Sequence, residues 1–219
     1  LRRVLFKICS GYIVYTESGR ANLIKFGFPE NKISVANNTL SISNHRPTNG
    51  DKYFLYLGRP QERKLLEVVF PYLLELGFKL RVVGESDYLP TLKENVSKFL
   101  VDELVEFYPA TYDDEELSSH FKSAFAYLSP GPVGLGVVHA FSYGVPVITL
   151  SSVEHGPEFG YCSIENSYIC IDADGIKTAM ISCVKYPLKH SEKRENAYST
   201  YVKKLSPENV NNAFLKQIF

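Results

Sequence analysis

Three groups of residues in this sequence have the types and spacing to hold an anion. The first runs Ser129-Pro-Gly-Pro-Val-Gly-Leu-Gly-Val-Val-His139 and continues through Ala140-Phe-Ser-Tyr-Gly-Val-Pro-Val-Ile148. It reads as a strand end, a glycine loop, a short helix over Leu135 to Tyr143, a glycine stop and a second strand. Gly134 and Gly136 let the backbone come close to a ligand where the helix begins. The free N–H groups and positive dipole end at that point attract a phosphate. Gly144 falls at the C′ position that ends the helix. The second group is Gly58, Arg59 and Lys64, within Tyr53-Phe-Leu-Tyr-Leu-Gly-Arg-Pro-Gln-Glu-Arg-Lys64. Arg59 at a strand's end and Lys64 in the first turn of the next helix could both reach one anion at the carboxyl edge of a sheet. Solvated charge at a helix start is the competing reading for each, and Arg63 is a rival for Lys64. The third group is Arg81-Val-Val-Gly84-Glu-Ser86, a buried strand stopped by a glycine that serves close backbone approach or plain turn chemistry.

The elements that must position these groups are repeated apolar strands followed by amphipathic helices. That alternation is the pattern of a parallel sheet covered on both faces, an α/β fold of Rossmann-like type. Strands are predicted near Tyr12–Tyr15, Tyr53–Leu57, Lys79–Val83, Val105–Tyr108, Ala124–Leu128, Val145–Leu150 and Tyr168–Ile171. The clearest helices are predicted over Glu62–Leu76, Asp113–Lys122, Leu135–Tyr143 and Gly175–Lys185, with two more over Ser191–Lys204 and Pro207–Ile218. Leu65, Leu66, Val69, Leu73 and Leu76 line one side of the first helix. Asp113 followed by Glu116 makes a capping pair, and Tyr112 just before it is a loop tyrosine that could touch a flat ring.

Composition narrows the ligand. The 219 residues suit one large α/β domain, or one with an attached fragment, and 45% hydrophobic residues suffice for a packed core. With 24 basic against 24 acidic residues there is no excess charge to attract nucleic acid, whereas a small polar or anionic ligand fits. Cys9, Cys162, Cys170 and Cys183 form no Cys-x-x-Cys pair, which argues against a zinc ribbon or a thioredoxin-type site and for buried free thiols in a reducing cytosol. No apolar run reaches about eighteen residues and the start lacks a signal-peptide arrangement, so any membrane contact is expected to be peripheral. Neither a Gly-x-Gly-x-x-Gly fingerprint with an acidic partner nor a Walker-type loop is present.

The motifs resemble those of the nucleotide-sugar half of GT-B glycosyltransferases, specifically the large retaining group called family 4. Its usual pattern is Glu-Gly-Phe-Gly-Leu, three residues, then Glu-Ala-Met-Ala-x-Gly-x-Pro-Val. Gly134-Leu135, Ala140 and Gly144-Val-Pro-Val147 match it, and Phe141 stands for the Met. Gly131 and His139 stand where the paired glutamates belong. Ser-Pro-Gly-x-Val-Gly-Leu, then His and Gly-x-Pro-Val-Ile, is similar to a bacterial polysaccharide-synthesis subgroup. Gly58, Arg59 and Lys64 match the family's Gly-Arg, four residues, Lys-Gly, with Leu65 replacing the last glycine.

The resemblance implies a GT-B donor-domain half. Residues 1–50 would end an acceptor domain and its linker, 51–190 would bind the donor, and 191–219 would form closing helices. Leu1-Arg-Arg-Val would open mid-helix, Ser41–Asp51 would be linker, and Asn38 falls on the family's interdomain Asn. The donor would be a UDP- or GDP-linked sugar, with no further cofactor and no metal ligands. The acceptor, a saccharide or lipid-linked saccharide, would be held by an N-terminal domain outside this chain, at or near the cytoplasmic face of a membrane. Alone, the fragment would be inactive. Donor contacts are implied for Gly58, Arg59, Lys64, Gly84, Gly134, Leu135, Gly136 and His139, and catalytic roles for Arg59, Lys64 and Glu158. Imidazole can hydrogen-bond a ribose hydroxyl as the glutamate does, though packing within the helix is the alternative for His139. Glu158, in Glu154-His-Gly-Pro-Glu158, matches a glutamate that follows the Pro-Val-Ile strand and could face the sugar, or be an ordinary surface residue. His155 carries no role beyond lying beside it. A non-catalytic nucleotide-sugar module, favoured by the lost acidic pair, and a GT-B nucleotide-sugar epimerase are the other readings.

Overall fold

The structure, a computed structural model, describes residues 9–40, 50 and 52–218. Its centre is a six-stranded, wholly parallel sheet in the order β5-β4-β3-β6-β7-β8. The strands are β3 (Tyr53–Leu57), β4 (Leu80–Val83), β5 (Val105–Tyr108), β6 (Ala124–Leu128), β7 (Val147–Leu150) and β8 (Ser167–Cys170). The central strands β3 and β6 are short apolar runs because both faces are covered, whereas β4 and the edge strand β5 carry the paired Arg81 and Glu106, 2.8 Å apart. Along β3, Phe54 and Tyr56 enter one core with Leu80, Val82 and Leu92. Tyr53 and Leu55 enter the other with Val137, Phe141 and Ala197. Each such side chain taken fully from water contributes on the order of 1.5–3 kcal/mol.

All strand carboxyl ends share one edge. The chain builds outward from β3 to β5, then returns to β6 beside β3 and builds the other way, so β3 and β6 flank the switch point where open parallel sheets leave a crevice. The loops leaving these two strands carry Gly58 to Lys64 and Ser129 to Gly136.

The helix expected over Glu62–Leu76 is broken. Two 3₁₀ turns, Glu62–Lys64 and Leu66–Val69, precede α2 (Phe70–Leu76) because Leu65 between them is left-handed at φ 54° and ψ 35°. That is the conformation a glycine adopts freely, and Leu65 is the position at which the resembled pattern has glycine. Helix α3 (Leu89–Lys98) was not among the named helices; only Leu92 and Val96 are fully buried along it, a weak apolar stripe. Helix α4 (Asp114–Lys122) is capped by Asp113, which accepts from the N–H groups of Glu115 and Glu116 at 3.0 and 2.9 Å. Helix α5 (Gly136–Ser142) follows the glycine loop, and α6 (Ala173–Lys185) covers the far side.

A small parallel pair, β1 (Tyr12–Val14) and β2 (Ile33–Val35), is joined through α1 (Glu17–Lys25), whose N-cap Thr16 accepts from Gly19 N–H. Strand β2 is too short to carry a visible period. Helix α7 (Pro187–Thr200) begins before Ser191 and runs into a π turn at Tyr201–Leu205, and α8 (Pro207–Ile218) packs on the small pair. Ala197, Tyr201 and Leu205 lie in the second core. The expected helical start at Leu1 and the Ser41–Asp51 linker, except Gly50, lie outside the described residues. Of the expected buried thiols, Cys170 and Cys183 are buried, Cys162 is half-buried and Cys9 is exposed. No helix among the described residues is long and apolar enough to cross a membrane.

Candidate functional site

Strands β3 and β4 end in glycines at positive φ, Gly58 at 138° and Gly84 at 146°. Gly58 N–H donates to Val83 O at 3.0 Å, and Gly84 N–H to Tyr108 O at 3.1 Å. A Cβ on Gly84 would stand 2.0 Å from Gly58 O, so the close approach that requires this glycine is to another strand's backbone rather than to a ligand. Gly136 is held likewise: its Cβ would stand 2.2 Å from the Tyr127 hydroxyl, which donates to Leu57 O at 3.0 Å. Gly134 differs, because a Cβ there would meet nothing within 4 Å.

Between Pro130 and Val133 the loop's backbone groups are tied to protein. Leu150 N–H donates to Pro130 O at 3.2 Å, Gly131 N–H to Lys64 O at 2.9 Å and Gly156 N–H to Val133 O at 3.3 Å. Thr149 Oγ1 donates to Gly131 O at 3.4 Å and Lys64 Nζ donates to Pro132 O. Val133 N–H donates to His155 Nδ1 at 3.2 Å. The next N–H groups, those of Gly134, Leu135 and Gly136, have no acceptor among the described residues. They are consecutive donors at the start of α5, the arrangement that accepts an oxyanion. At its other end α5 closes as expected, with Gly144 at φ 64°, Gly144 N–H on Phe141 O at 3.0 Å and Val145 N–H on Ala140 O at 2.8 Å.

The segment 134–136 separates two clefts. Gly58, Arg59, Gly84, Leu135, Gly136 and His139 line one of about 320 Å³, with Tyr112, 94% exposed, on its lip. Lys64, Gly134 and Glu158 line the other, of about 910 Å³, together with Arg63, Glu154 and His155. Arg59 and Lys64, expected to reach one anion, therefore stand on opposite sides of the free N–H groups. The Arg59 side chain is exposed and makes no ion pair among the described residues, while its carbonyl accepts from the Tyr56 hydroxyl at 2.9 Å.

Lys64 is half-buried. Burial, with Arg63 beside it, lowers its ammonium pKa from the ordinary lysine value, and Glu158 offsets part of this. Glu158 is only 8% exposed and its Oε1 accepts from Asn38 Nδ2 at 3.0 Å, so it is not a surface glutamate. Asn38 N–H donates to the Tyr161 hydroxyl at 2.7 Å, and that hydroxyl donates to Tyr15 O at 2.9 Å, which ties the turn before the sheet to the cleft wall. Gly131, where an acidic residue would stand by the resemblance, has no room for one: its Cβ would lie 2.1 Å from Arg63 O and 2.7 Å from Lys64 Cα.

His139 fits both readings made of it. Its ring stacks on Phe121 with centroids 6.2 Å apart, yet its Nδ1 is buried without a hydrogen-bond partner among the described residues. Burial lowers its pKa, partly countered by Asp114, which favours the neutral ring. The residue that sequence reasoning passed over is His155, which stacks on Phe159 at 4.0 Å, accepts from Val133 N–H and places Nε2 2.6 Å from Leu150 O. The available signal was the His-Gly-Pro turn, which folds the ring back onto the last carbonyl of β7.

The family described as Glycosyl transferases group 1 matches residues 38–160, more than half of the chain. No curated protein sequence matches it. Among solved structures, Anabaena Alr3699/HepE in complex with UDP shares 14% identity over 99% of this chain and 65% of that one, at a TM-score of 0.79. A TarM mutant of S. aureus in complex with Fondaparinux, alpha-GlcNAc-glycerol and UDP shares 16% over 95% and 43%, at 0.75. Sucrose-phosphate synthase from Thermosynechococcus elongatus shares 19% over 94% and 58%, at 0.76. At these identities the likeness establishes the fold, that of GT-B glycosyltransferase structures, and this chain spans less than two thirds of each neighbour's length.

Proposed function

The chain belongs to the group 1 glycosyl transferases, and from that premise we propose that it is the donor half of a retaining, family 4-like GT-B enzyme, C-terminal to an acceptor domain. It binds a nucleoside-diphosphate sugar linked to UDP or GDP. The base and ribose occupy the smaller cleft beside Tyr112, Gly84 and His139. The diphosphate lies across the N–H groups of Gly134 to Gly136, with Arg59 on one side and Lys64 on the other. The sugar enters the larger cleft and faces Glu158.

In the transfer, the bond between the anomeric carbon and the phosphate oxygen breaks and its electron pair stays on the phosphate. The acceptor hydroxyl oxygen then bonds the anomeric carbon on the face the phosphate left, and its proton passes to the departing phosphate oxygen. The negative charge that grows on the leaving diphosphate meets Lys64 and oriented backbone donors, stabilisation that needs no metal. Because Lys64 is partly desolvated, its charge is less screened than a surface lysine's. The acceptor is a saccharide or lipid-linked saccharide of polysaccharide synthesis, met on the cytoplasmic side of a membrane. Neighbours of the same fold were solved with UDP, which supports the nucleotide assignment.

The observation that carries this reading is the run of consecutive N–H groups between the two clefts that have no acceptor among the described residues. Calorimetric titration with UDP, GDP and ADP, repeated on Arg59→Ala and His139→Ala, tests it. Saturable binding of one nucleotide that both substitutions weaken is expected, and no binding to any of them contradicts it. Gly131, with no space for a carboxylate, favours a second reading as a non-catalytic binding module. Sugar transfer by the full-length protein that Lys64→Ala abolishes decides against that module.

A further inference from the structure

We infer that His155 is a positioning residue for the donor phosphate site: as a neutral ring protonated on Nε2, it takes Val133 N–H out of the donor set and aims the three following N–H groups at the ligand. The inference rests on the donor-site reading above. Val133 N–H reaches His155 Nδ1 at 3.2 Å, a bond in which Nδ1 must accept, since the backbone N–H can only donate. Nε2 lies 2.6 Å from Leu150 O, which can only accept, so Nε2 carries the proton. Both partners are backbone groups, and together they fix one tautomer. Stacking on Phe159, 4.0 Å between centroids and 5° between planes, sets the ring's orientation.

The bridge joins the end of β7 to the middle of the glycine loop. Lys64 holds the adjacent carbonyl, that of Pro132, and Gly156 N–H holds Val133 O. Of these ties, the one through His155 is lost when its ring gains a second proton. A doubly protonated ring presents N–H to Val133 N–H, the bond is lost, and the loop just before Gly134 is released. The groups facing the ring from other elements work against protonation: Lys64, and Arg63 beyond it, line the opposite wall of the same cleft, while Glu154 and Glu158 on its own segment oppose them. Burial first, and Lys64 after it, lower the ring's pKa, offset in part by the bond to Leu150 O. The bridge is therefore intact at neutral pH and opens as pH falls below the ordinary histidine range.

The test uses UDP as the probe. His155→Phe keeps the ring stack and removes both hydrogen bonds. Titration of the wild-type chain and the variant across acid to neutral pH is expected to show about tenfold weaker binding by the variant at neutral pH, about the effect of losing one well-aligned hydrogen bond. The gap closes as pH falls, because the wild type loses its bridge. The nucleotide's own phosphate ionisation acts on both proteins alike and cancels in the difference. Equal affinities at every pH overturn the positioning role while leaving the donor site standing, whereas a wild type that binds none of UDP, GDP and ADP overturns the donor-site reading together with this one. A second measurement needs no variant: hydrogen exchange at Val133 N–H in the wild-type chain should accelerate, relative to Gly131 N–H, as pH is lowered through the His155 titration. Protection that does not change relative to Gly131 also overturns the role.

Discussion

The two clefts on either side of residues 134–136 are built by different means. In the smaller one the glycines are fitted to protein: Gly84 against Gly58, and Gly136 against the Tyr127 hydroxyl. In the larger one the walls carry charge, with Lys64, Arg63, Glu154 and Glu158 around an opening of about 910 Å³. One side of the site thus rests chiefly on backbone shape, with Arg59 on its wall, and the other on electrostatics. Damage to the first should appear as lost folding, and damage to the second as lost binding or rate in a folded protein.

The largest effect that would sharpen this contrast is at Gly84. Alanine there places Cβ 2.0 Å from Gly58 O at φ 146°, and about 3 kcal/mol or more of stability should be lost in urea melts. A melt unchanged by Gly84→Ala would break the comparison. Across the divide, Lys64→Ala should lower sugar transfer by the full-length protein by about 10²–10³-fold, the scale for losing one charge-stabilising donor, with little change in the melt. Next comes Gly134→Ala. With nothing within 4 Å of the new Cβ the fold should be untouched, yet UDP affinity should drop about tenfold if a phosphate approaches that backbone. Equal affinity would remove Gly134 from the site.

A smaller effect is the pH dependence of donor binding at its basic limit. The Lys64 pKa is lowered, chiefly by burial, so its charge is present below that pKa and lost as pH rises through it. UDP binding should therefore weaken at a lower pH than an ordinary lysine would set, and the fall should disappear in Lys64→Ala. A profile shared by both proteins would assign the dependence to another group.

The sequence made the sheet legible where burial on both faces leaves nothing but apolar residues. Strands β3 and β6 begin and end at their predicted residues for that reason. It misjudged the segment after Arg59, because the apolar spacing from Leu65 to Leu76 continues through a residue whose left-handed backbone breaks the helix. Periodicity records which side chains face the core, not the φ of a single residue. The glycines were recognised, but their reasons were not: Gly84 and Gly136 answer to contacts from strands distant in sequence, visible only once β3, β4 and β6 lie side by side. His155 was passed over for the same cause. Its partners, Val133 and Leu150, are joined to it only by the return of the chain around the end of β7.

The most direct test of the account is a comparison of UDP with uridine by calorimetric titration of the wild-type chain and Gly134→Ala. If the free N–H groups of Gly134 to Gly136 hold the diphosphate, the wild type should bind UDP far more tightly than uridine, and the variant should lose much of that difference while still melting as the wild type does. Uridine bound as tightly as UDP, or a preference for UDP that Gly134→Ala leaves intact, would contradict the placement of the phosphate between the two clefts.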